Sequence, residues 1–288
     1  MEHQIDVAPG VRLWAEERGD PAASTLLLVM GANASGLTWP DSLLDALARR
    51  HRVIRYDHRD TGRSTWPFAE HPYPLTELAT DVVRLLDALG IARAHVVGMS
   101  MGGMLTQLLL LEHPERLATA TLVGTTPMDG APTDLPGIDP TLLEFWETMF
   151  EPRDRAAEIA WRVRHWRILN GGELPFDPEE FRRREERIID HAGRPDNPAA
   201  HALASQDGLD RAVELAAVST PVLVVDSPAD PIAGSASARH LATLVGNARL
   251  VTVPGLGHAL SEAVGPRLAE VILDHTTSHE PAERPLPT

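Results

Sequence analysis

The sequence predicts an α/β fold with a mostly parallel eight-stranded sheet, helices on both faces and one helical cap insertion. Strand-like and helix-like segments alternate along most of the chain, and this order requires parallel strands joined by right-handed crossovers. Leu26–Met30 is one of several continuous apolar runs, which are typical of strands buried on both faces. A long stretch, residues 140–192, has helical patterns and no strand-like segment.

Eight segments have the composition of strands, and the first two can pair as a hairpin around Pro9-Gly10. Helical spacing of apolar residues recurs between the strands. The strands are predicted at residues 3–7, 11–18, 26–30, 52–56, 95–97, 118–123, 221–225 and 249–253. The helices of the sheet region are predicted at residues 39–49, 75–89, 101–111, 235–245 and 261–275.

The alternation stops after the sixth strand and returns at the seventh. Residues 126–139 are rich in Pro, Gly, Asp and Thr, which indicates a loop. Because this insertion follows a strand, we expect it to lie over the carboxyl edge of the sheet as a lid. Its helices are predicted at residues 140–150, 154–168 and 178–192. We predict a core of residues 1–125 and 217–277, a helical cap of residues 126–216 and a flexible tail of residues 278–288.

Charge and composition argue against several kinds of partner and site. A formal net charge of −15 over 288 residues repels phosphate backbones and argues against nucleic acid as a partner. No apolar run reaches the ~18 residues that a membrane span needs, and the N-terminus lacks the apolar segment of a signal peptide. The chain has no cysteine, which excludes disulfides and thiolate chemistry. We expect a cytoplasmic protein without a membrane partner.

A candidate nucleophile lies in Gly98-Met99-Ser100-Met101-Gly102, between a predicted strand and a predicted helix. G-x-S-x-G in this position predicts the nucleophile elbow of the α/β-hydrolase fold. The turn exposes the serine hydroxyl at the N-terminus of a helix, where free N–H groups and the helix dipole favour negative charge. Small flanking residues let the neighbouring backbone pass close to the turn.

The serine needs a base, because a hydroxyl is a weak nucleophile near neutral pH. His258 follows the last predicted strand in Pro254-Gly255-Leu256-Gly257-His258, at the same sheet edge as Ser100. His95 lies within a strand and His113 at a helix end, which favours structural roles for both. His58, in a loop after a strand, is a weaker alternative. We therefore predict His258 as the base.

The base needs a carboxylate that fixes its tautomer and stabilises the imidazolium. Asp230 and Asp226 both follow the seventh predicted strand. The chain order Ser, Asp, His is the one expected for this fold. We favour Asp230, because the loop needs several residues to carry the carboxylate over the sheet edge. A turn-stabilising role is the interpretation left for Asp226.

Two backbone N–H groups are needed for the oxyanion of an ester-cleavage intermediate. We predict that Met101 and Ala32 supply them, since Met101 follows the nucleophile and Ala32 follows Gly31, the pivot of its loop.

The polar loop Asp57–Ser64 either borders the active site or is fixed by a network of charge-assisted bonds, and we favour the network. No metal-ligand spacing, phosphate loop or dinucleotide fingerprint is present, so no metal and no cofactor is implied.

Several stretches outside these catalytic positions are similar to the aclacinomycin methylesterases of Streptomyces anthracycline biosynthesis. The resemblance covers the chain apart from its tail and is less continuous in the cap. The matching stretches are Leu26–Asn33 (LLLVMGAN), Val53–Ser64 (VIRYDHRDTGRS), Ala94–Met101 (AHVVGMSM), Trp166–Leu169 (WRIL) and Pro254–Leu260 (PGLGHAL).

This resemblance implies hydrolysis of a carbomethoxy ester on a glycosylated tetracyclic aromatic polyketide, with water as co-substrate. The family's nucleophile, acid and base fall on Ser100, Asp230 and His258, and its oxyanion donors fall on Ala32 and Met101. The chain has alanine at position 32 where the family has glycine, a change that keeps the backbone N–H.

The predicted cap is rich in aromatic residues. It holds seven of the 13 Phe, Trp and Tyr residues of the chain. Aromatic faces bind a flat polycyclic substrate well, and we predict that Trp146, Trp161 and Trp166 include substrate contacts. The alternative is that these rings only pack the lid onto the core. Two other functions stay open: hydrolysis of a lactone or another small ester, and non-catalytic ligand binding.

Overall fold

The computed structural model describes residues 1–130, 132, 134–194 and 199–279. Within these residues, eight strands form one sheet, as predicted, and the structure gives their order across it as β1-β2-β4-β3-β5-β6-β7-β8. Most of the predicted tail, from residue 280 onward, lies outside the described residues. The strands are Glu2–Ala8 (β1), Val11–Arg18 (β2), Thr25–Val29 (β3), Arg52–Tyr56 (β4), Ala94–Met99 (β5), Leu117–Val123 (β6), Val222–Asp226 (β7) and Ala248–Thr252 (β8).

The strand directions follow from the connections. β1 and β2 form the predicted antiparallel hairpin, with Gly10 at φ 75° in its turn. β2 is also antiparallel to β4, whereas the pairs from β4 to β8 are parallel. The chain passes from β3 to β4 on one side and then to β5 on the other side of β3. The carboxyl ends of β3 and β5 therefore flank a topological switch point, where α/β sheets bind ligands.

Helices cover both faces of the sheet, as predicted. Side chains of the helices Leu75–Ala88, Met101–Glu112 and Ser235–Leu244 pack in one apolar layer, and those of Asp41–Leu47 and Gly265–Thr277 pack in the other. Among the described residues, no helix is long and apolar enough to cross a membrane. The helices are Asp41–Leu47 (α1), Leu75–Ala88 (α2), Met101–Glu112 (α3), Pro140–Trp146 (α4), Arg155–Leu169 (α5), Pro178–Ala192 (α6), Ala200–Leu203 (α7), Ser235–Leu244 (α8) and Gly265–Thr277 (α9).

Three predicted helices differ by several residues from their sequence patterns, and the one predicted at 39–49 spans only Asp41–Leu47. The helix predicted at 140–150 ends at Trp146, because the next N–H groups, such as that of Met149, bind carbonyls only three residues back. The helix predicted at 261–275 begins at Gly265. The preceding Glu262 is used elsewhere, since its carboxylate accepts hydrogen bonds from the first N–H groups of α1, at Asp41 and Ser42.

The helical segment between β6 and β7, residues 126–216, is called the cap below. Arg184 of α6 is buried, and its guanidinium donates to the carbonyls of Thr38 and Leu260, which follow β3 and β8. His191, at the end of the same helix, lies 2.7 Å from the carboxylate of Asp57 after β4. These contacts fasten α6 over the carboxyl edge of the sheet. The division into core and cap at the boundaries given above stays a prediction.

Candidate active site

Ser100 lies in the turn between β5 and α3, as its motif predicted. Its backbone has φ 54° and ψ −122°, a conformation that costs a residue with a side chain on the order of 1–3 kcal/mol. The turn is held by hydrogen bonds from Ser100 N–H to the carbonyl of Val123 and from the Thr125 hydroxyl to the carbonyl of Ser100. The strained turn presents the hydroxyl at the N-terminus of α3.

The flanking glycines are required by close backbone approach. A Cβ atom on Gly98 would lie 2.3 Å from the carbonyl oxygen of Gly102, and one on Gly102 would lie 2.1 Å from the carbonyl oxygen of Val29. Both distances are far inside van der Waals contact. Alpha-helix α3 can therefore rest directly on β3 and β5, and this packing fixes where Ser100 is held.

His258 and Asp230 are paired, as predicted. The imidazole Nδ1 donates to Oδ2 of Asp230 at 2.7 Å, and the other carboxylate oxygen accepts the N–H groups of Ile232 and Ala233 at 2.8 and 2.9 Å. Burial alone raises the pKa of Asp230, but His258 and these N–H groups outweigh it and hold that pKa below its ordinary value. The carboxylate is thus ionised and its partner's ring orientation is fixed.

Asp226 is bound differently. Its carboxylate accepts the hydroxyl groups of Ser235 and Thr252 at 2.5 and 2.9 Å, across the loop after β7. These contacts tie together the end of β7, the start of α8 and the end of β8. The placement agrees with the turn-stabilising role left for Asp226.

The alternative histidines are engaged elsewhere. His95 is buried in β5 with Nδ1 2.9 Å from the hydroxyl of Thr119. His58 is buried, with Nε2 3.0 Å from the carbonyl of Met30, and burial lowers its pKa to about 4. His113 follows α3 and lies near Glu115.

A cavity of about 350 Å³ opens between the sheet edge and the cap. This volume is in the range of small-molecule sites. Ser100, His258 and Ala32 line it, so the structure brings these three predicted site residues to the same cavity. Met101 is buried, is outside the lining formed by the described residues, and begins α3 directly after Ser100. Its N–H is one of the first helix donors, which lack partners within the helix.

Trp146, Trp161 and Trp166 also line the cavity, on the cap side. Trp161 is buried and stacks on Phe145 with ring centroids 4.8 Å apart, whereas Trp146 and Trp166 are only partly buried. Their indole N–H groups are satisfied within the cap, for example by a bond from Trp166 to Glu185 at 2.5 Å. The cap therefore contributes tryptophan rings to the cavity lining and pairs their three indole N–H groups within itself.

The sequence reasoning missed His165, which lies among these rings and lines the cavity. Its Nε2 accepts the indole N–H of Trp146 at 2.9 Å, so a neutral ring carries its proton on Nδ1. Burial, with a further contribution from nearby His258, lowers the pKa of His165 to about 4. The one available signal was helical spacing, since His165 is four residues after Trp161.

The polar loop Asp57–Ser64 forms the network that the sequence favoured. Asp57 accepts the Ser35 hydroxyl at 2.5 Å and the N–H of Gly36 at 2.8 Å. Arg59 makes two bonds to Asp81 of α2, at 2.5 and 2.7 Å. Gly62 of the same loop lines the cavity, so the loop also borders the candidate site.

Several known proteins are similar to this chain in sequence. Rhodomycin D methylesterase DauP of Streptomyces sp. (strain C5) is 44% identical over 283 residues, which is 92% of this chain and 95% of the relative. Rhodomycin D methylesterase DnrP of Streptomyces peucetius is 43% identical with the same coverage. The putative carbamate hydrolase RutD of Caulobacter sp. (strain K31) is 32% identical over 86% of this chain and 90% of its own length.

Solved structures share the fold. A hydrolase from Pseudomonas aeruginosa PA01 is 27% identical and superposes with a TM-score of 0.73 over 95% of this chain and 97% of its own. The esterase RhEst1 from Rhodococcus sp. ECU1013 has a TM-score of 0.78 at 21% identity, over 97% and 99% of the two chains. The profile of the family described as alpha/beta hydrolase fold matches residues 24–262. This chain therefore belongs to the alpha/beta hydrolase family.

Proposed function

We propose that this protein is a cytoplasmic methylesterase that hydrolyses the carbomethoxy group of a glycosylated aromatic polyketide, an anthracycline of the rhodomycin D type. The observation that carries the proposal is the 44% identity, over nearly the whole chain, to a rhodomycin D methylesterase. A second methylesterase of the same name is almost equally similar. The aromatic cap wall over Ser100 and His258 supports a flat polycyclic substrate.

Catalysis in this proposal runs through an acyl-enzyme. Ser100 Oγ attacks the ester carbonyl while His258 takes the hydroxyl proton, and the N–H groups of Ala32 and Met101 bind the oxyanion. Methanol leaves with the proton from His258, and water then attacks the acyl-enzyme to release the carboxylic acid. Asp230, ionised and bonded to Nδ1, stabilises the imidazolium that forms in both steps.

The proposal is tested by incubating the purified chain with a panel of carbomethoxy anthracyclines and measuring methyl loss by mass spectrometry. Small p-nitrophenyl esters, a lactone and a carbamate serve as comparison substrates. We expect the anthracycline ester to have the highest kcat/KM. Hydrolysis of the lactone or the carbamate, without hydrolysis of any anthracycline ester, would show that the proposed substrate class is wrong. Failure of a serine-directed phosphonate to label the protein would favour a ligand-binding role.

Ser100→Ala is expected to fold normally and to lose nearly all turnover. The change removes the attacking hydroxyl, and losses of triad groups cost on the order of 10⁴- to 10⁶-fold in rate. Steady-state kinetics with p-nitrophenyl acetate and the methyl ester measure the loss, with circular dichroism as the folding control. A variant that kept a tenth of the wild-type rate would contradict the mechanism.

Asp230→Asn is expected to reduce kcat far more than Asp226→Asn. Loss of the Asp230 carboxylate leaves His258 badly oriented and its cation unsupported, at a cost of roughly 10⁴-fold by analogy with other triads. Asp226→Asn weakens two hydroxyl contacts, and we expect it to lower the melting temperature with little change in kcat. Equal, small losses of kcat in both variants would place the acid elsewhere.

Trp146→Ala or Trp166→Ala is expected to reduce kcat/KM for the tetracyclic ester in at least one case. A lost aromatic contact of ~1–3 kcal/mol corresponds to roughly 5- to 150-fold. The same variant is expected to hydrolyse p-nitrophenyl acetate within a few-fold of wild type, because a small ester lacks the polycyclic part that these rings would contact.

Trp161→Ala is the matched comparison, since this ring is buried against Phe145 and its loss is expected to lower the melting temperature. If the Trp146 and Trp166 variants lose activity equally on both substrates and also melt earlier, the rings pack the lid and do not select the ester.

A further inference from the structure

The loop that follows β3, residues 31–36, passes directly beside the nucleophile. A Cβ on Gly31 would lie 3.1 Å from the Cβ of Ser100. Among the described residues, three non-glycine residues have positive φ, and Asn33 in this loop is one of them, at 58°. The conformation is uncommon for a residue with a side chain, and asparagine adopts it more readily than most, so bonds from neighbouring groups can select it here. Ala32, the proposed oxyanion donor, is the residue between Gly31 and Asn33.

His201 of the cap is the residue that holds this conformation. Its Nδ1 accepts the backbone N–H of Asn33 at 2.9 Å, and its own backbone N–H donates to Oδ1 of Asn33 at 3.1 Å. Its Nε2 lies 2.9 Å from the carbonyl of Arg59, in the loop after β4. The histidine is buried, with 4% of its surface exposed. One cap side chain therefore ties two loops of the sheet edge together.

The hydrogen-bond partners of His201 fix its protonation state. Because a backbone N–H can only donate, Nδ1 of His201 must carry a lone pair, and its proton must lie on Nε2 and point to the carbonyl. Burial lowers the pKa of His201 to about 3, and nearby His58 acts in the same direction. The neutral ring with this tautomer is thus a permanent part of the structure at neutral pH.

The other end of the loop has a separate anchor. Ser35 and Gly36 donate to the buried carboxylate of Asp57, which belongs to the loop after β4. That anchor lies after Asn33 in the chain and bonds Ser35 and Gly36 rather than Ala32. The residues next to Ala32 are Gly31, which lies beside Ser100, and Asn33, which bonds His201. Among the described residues, the side chain that accepts the Asn33 N–H is that of His201.

We propose that His201 is a positioning residue that sets the oxyanion donor at Ala32 by holding Asn33, so the cap contributes to cleavage of every ester and not only of bulky ones. This inference rests on the proposed function, since it takes Ala32 as an oxyanion donor. It predicts a division of roles within the cap. The tryptophans act on the unreactive part of the substrate, whereas His201 acts on the transition state through the loop.

Three variants separate the two hydrogen bonds of the ring. In His201→Asn, the amide Oδ1 is attached to Cγ, as Nδ1 is in histidine, and can still accept the N–H of Asn33. His201→Gln places its amide near the former Nε2 and loses that acceptor, and His201→Ala loses both.

We expect His201→Ala and His201→Gln to lower kcat for p-nitrophenyl acetate by about 10- to 100-fold with KM within about threefold, since loss of a full oxyanion donor costs 10²- to 10³-fold. His201→Asn is expected to stay within about threefold of wild type. His275→Ala, which changes a buried histidine of α9, is the control for stability and is expected to keep kcat.

A second measurement tests whether the transition state is affected. The inhibition constant of a trifluoromethyl ketone, which forms a tetrahedral oxyanion on serine, is expected to rise in proportion to the loss of kcat/KM across the His201 series. If His201 only stabilised the fold, its variants would melt at a lower temperature, but the folded protein would keep the wild-type inhibition constant. That result would overturn the proposal.

The outcomes also separate this inference from the proposed function. If wild type cleaves p-nitrophenyl acetate but no anthracycline ester, the proposed substrate is wrong and the His201 series is still decisive. If wild type is active and His201→Ala keeps kcat within threefold, only the inference is wrong. If wild type neither cleaves an ester nor binds the ketone, both are wrong.

Discussion

The strained turn at Ser100 is the constraint on which the site depends. A positive φ at a serine is sustained because α3 lies almost in contact with β3 and β5, and this approach leaves no room for a Cβ on Gly98 or Gly102. Moving α3 outward by the width of one methyl group would displace the hydroxyl from the loop at Gly31 and from the cavity. The packing of one helix on the sheet thus stores the strain and aims the nucleophile.

The cap is more than a cover over this turn. Besides the bonds from His201 to the loop after β3, the carbonyl of Leu169 at the end of α5 accepts the N–H groups of His258 and Ala259 at 2.7 and 3.2 Å. A Cβ on Gly257 would lie 2.4 Å from the carbonyl oxygen of Asn170. Cap backbone therefore contacts the loop that carries the proposed base. The site is formed at a junction, where neither the sheet edge nor the cap alone provides the full geometry.

An aspartate paired with a histidine does not by itself mark the reacting centre. Asp57 and His191 are 2.7 Å apart, as Asp230 and His258 are. His191, however, packs edge-on against Trp14 with ring centroids 4.4 Å apart and lines a separate surface groove. Of the two histidines, His258 lines the cavity that Ser100 lines, whereas His191 is outside the lining formed by the described residues. Access to the nucleophile, and not the pairing itself, distinguishes the two.

The sequence alone determined the α/β class, the strand order along the chain, the insertion and the motif at Ser100, because these depend on local patterns of apolar residues and glycine. Helix ends were predicted less well. Helix α4 ends at Trp146 because the next N–H groups bind carbonyls three residues back, and Glu262, just before α9, accepts the first N–H groups of the distant α1.

Only the tertiary structure showed what Asp226 binds and which tryptophans are partly buried. It also showed that His165 lines the cavity and that His201 bonds the loop after β3. Both histidines lie in the cap. His201 is distant in the chain from Asn33 and Arg59, which it contacts, and a single histidine carries no signal of such partners. For His165 the spacing of four residues from Trp161 was the one signal. The tautomer and charge of such a side chain are set by burial and by the donor or acceptor that faces it, which exist only after the chain has folded.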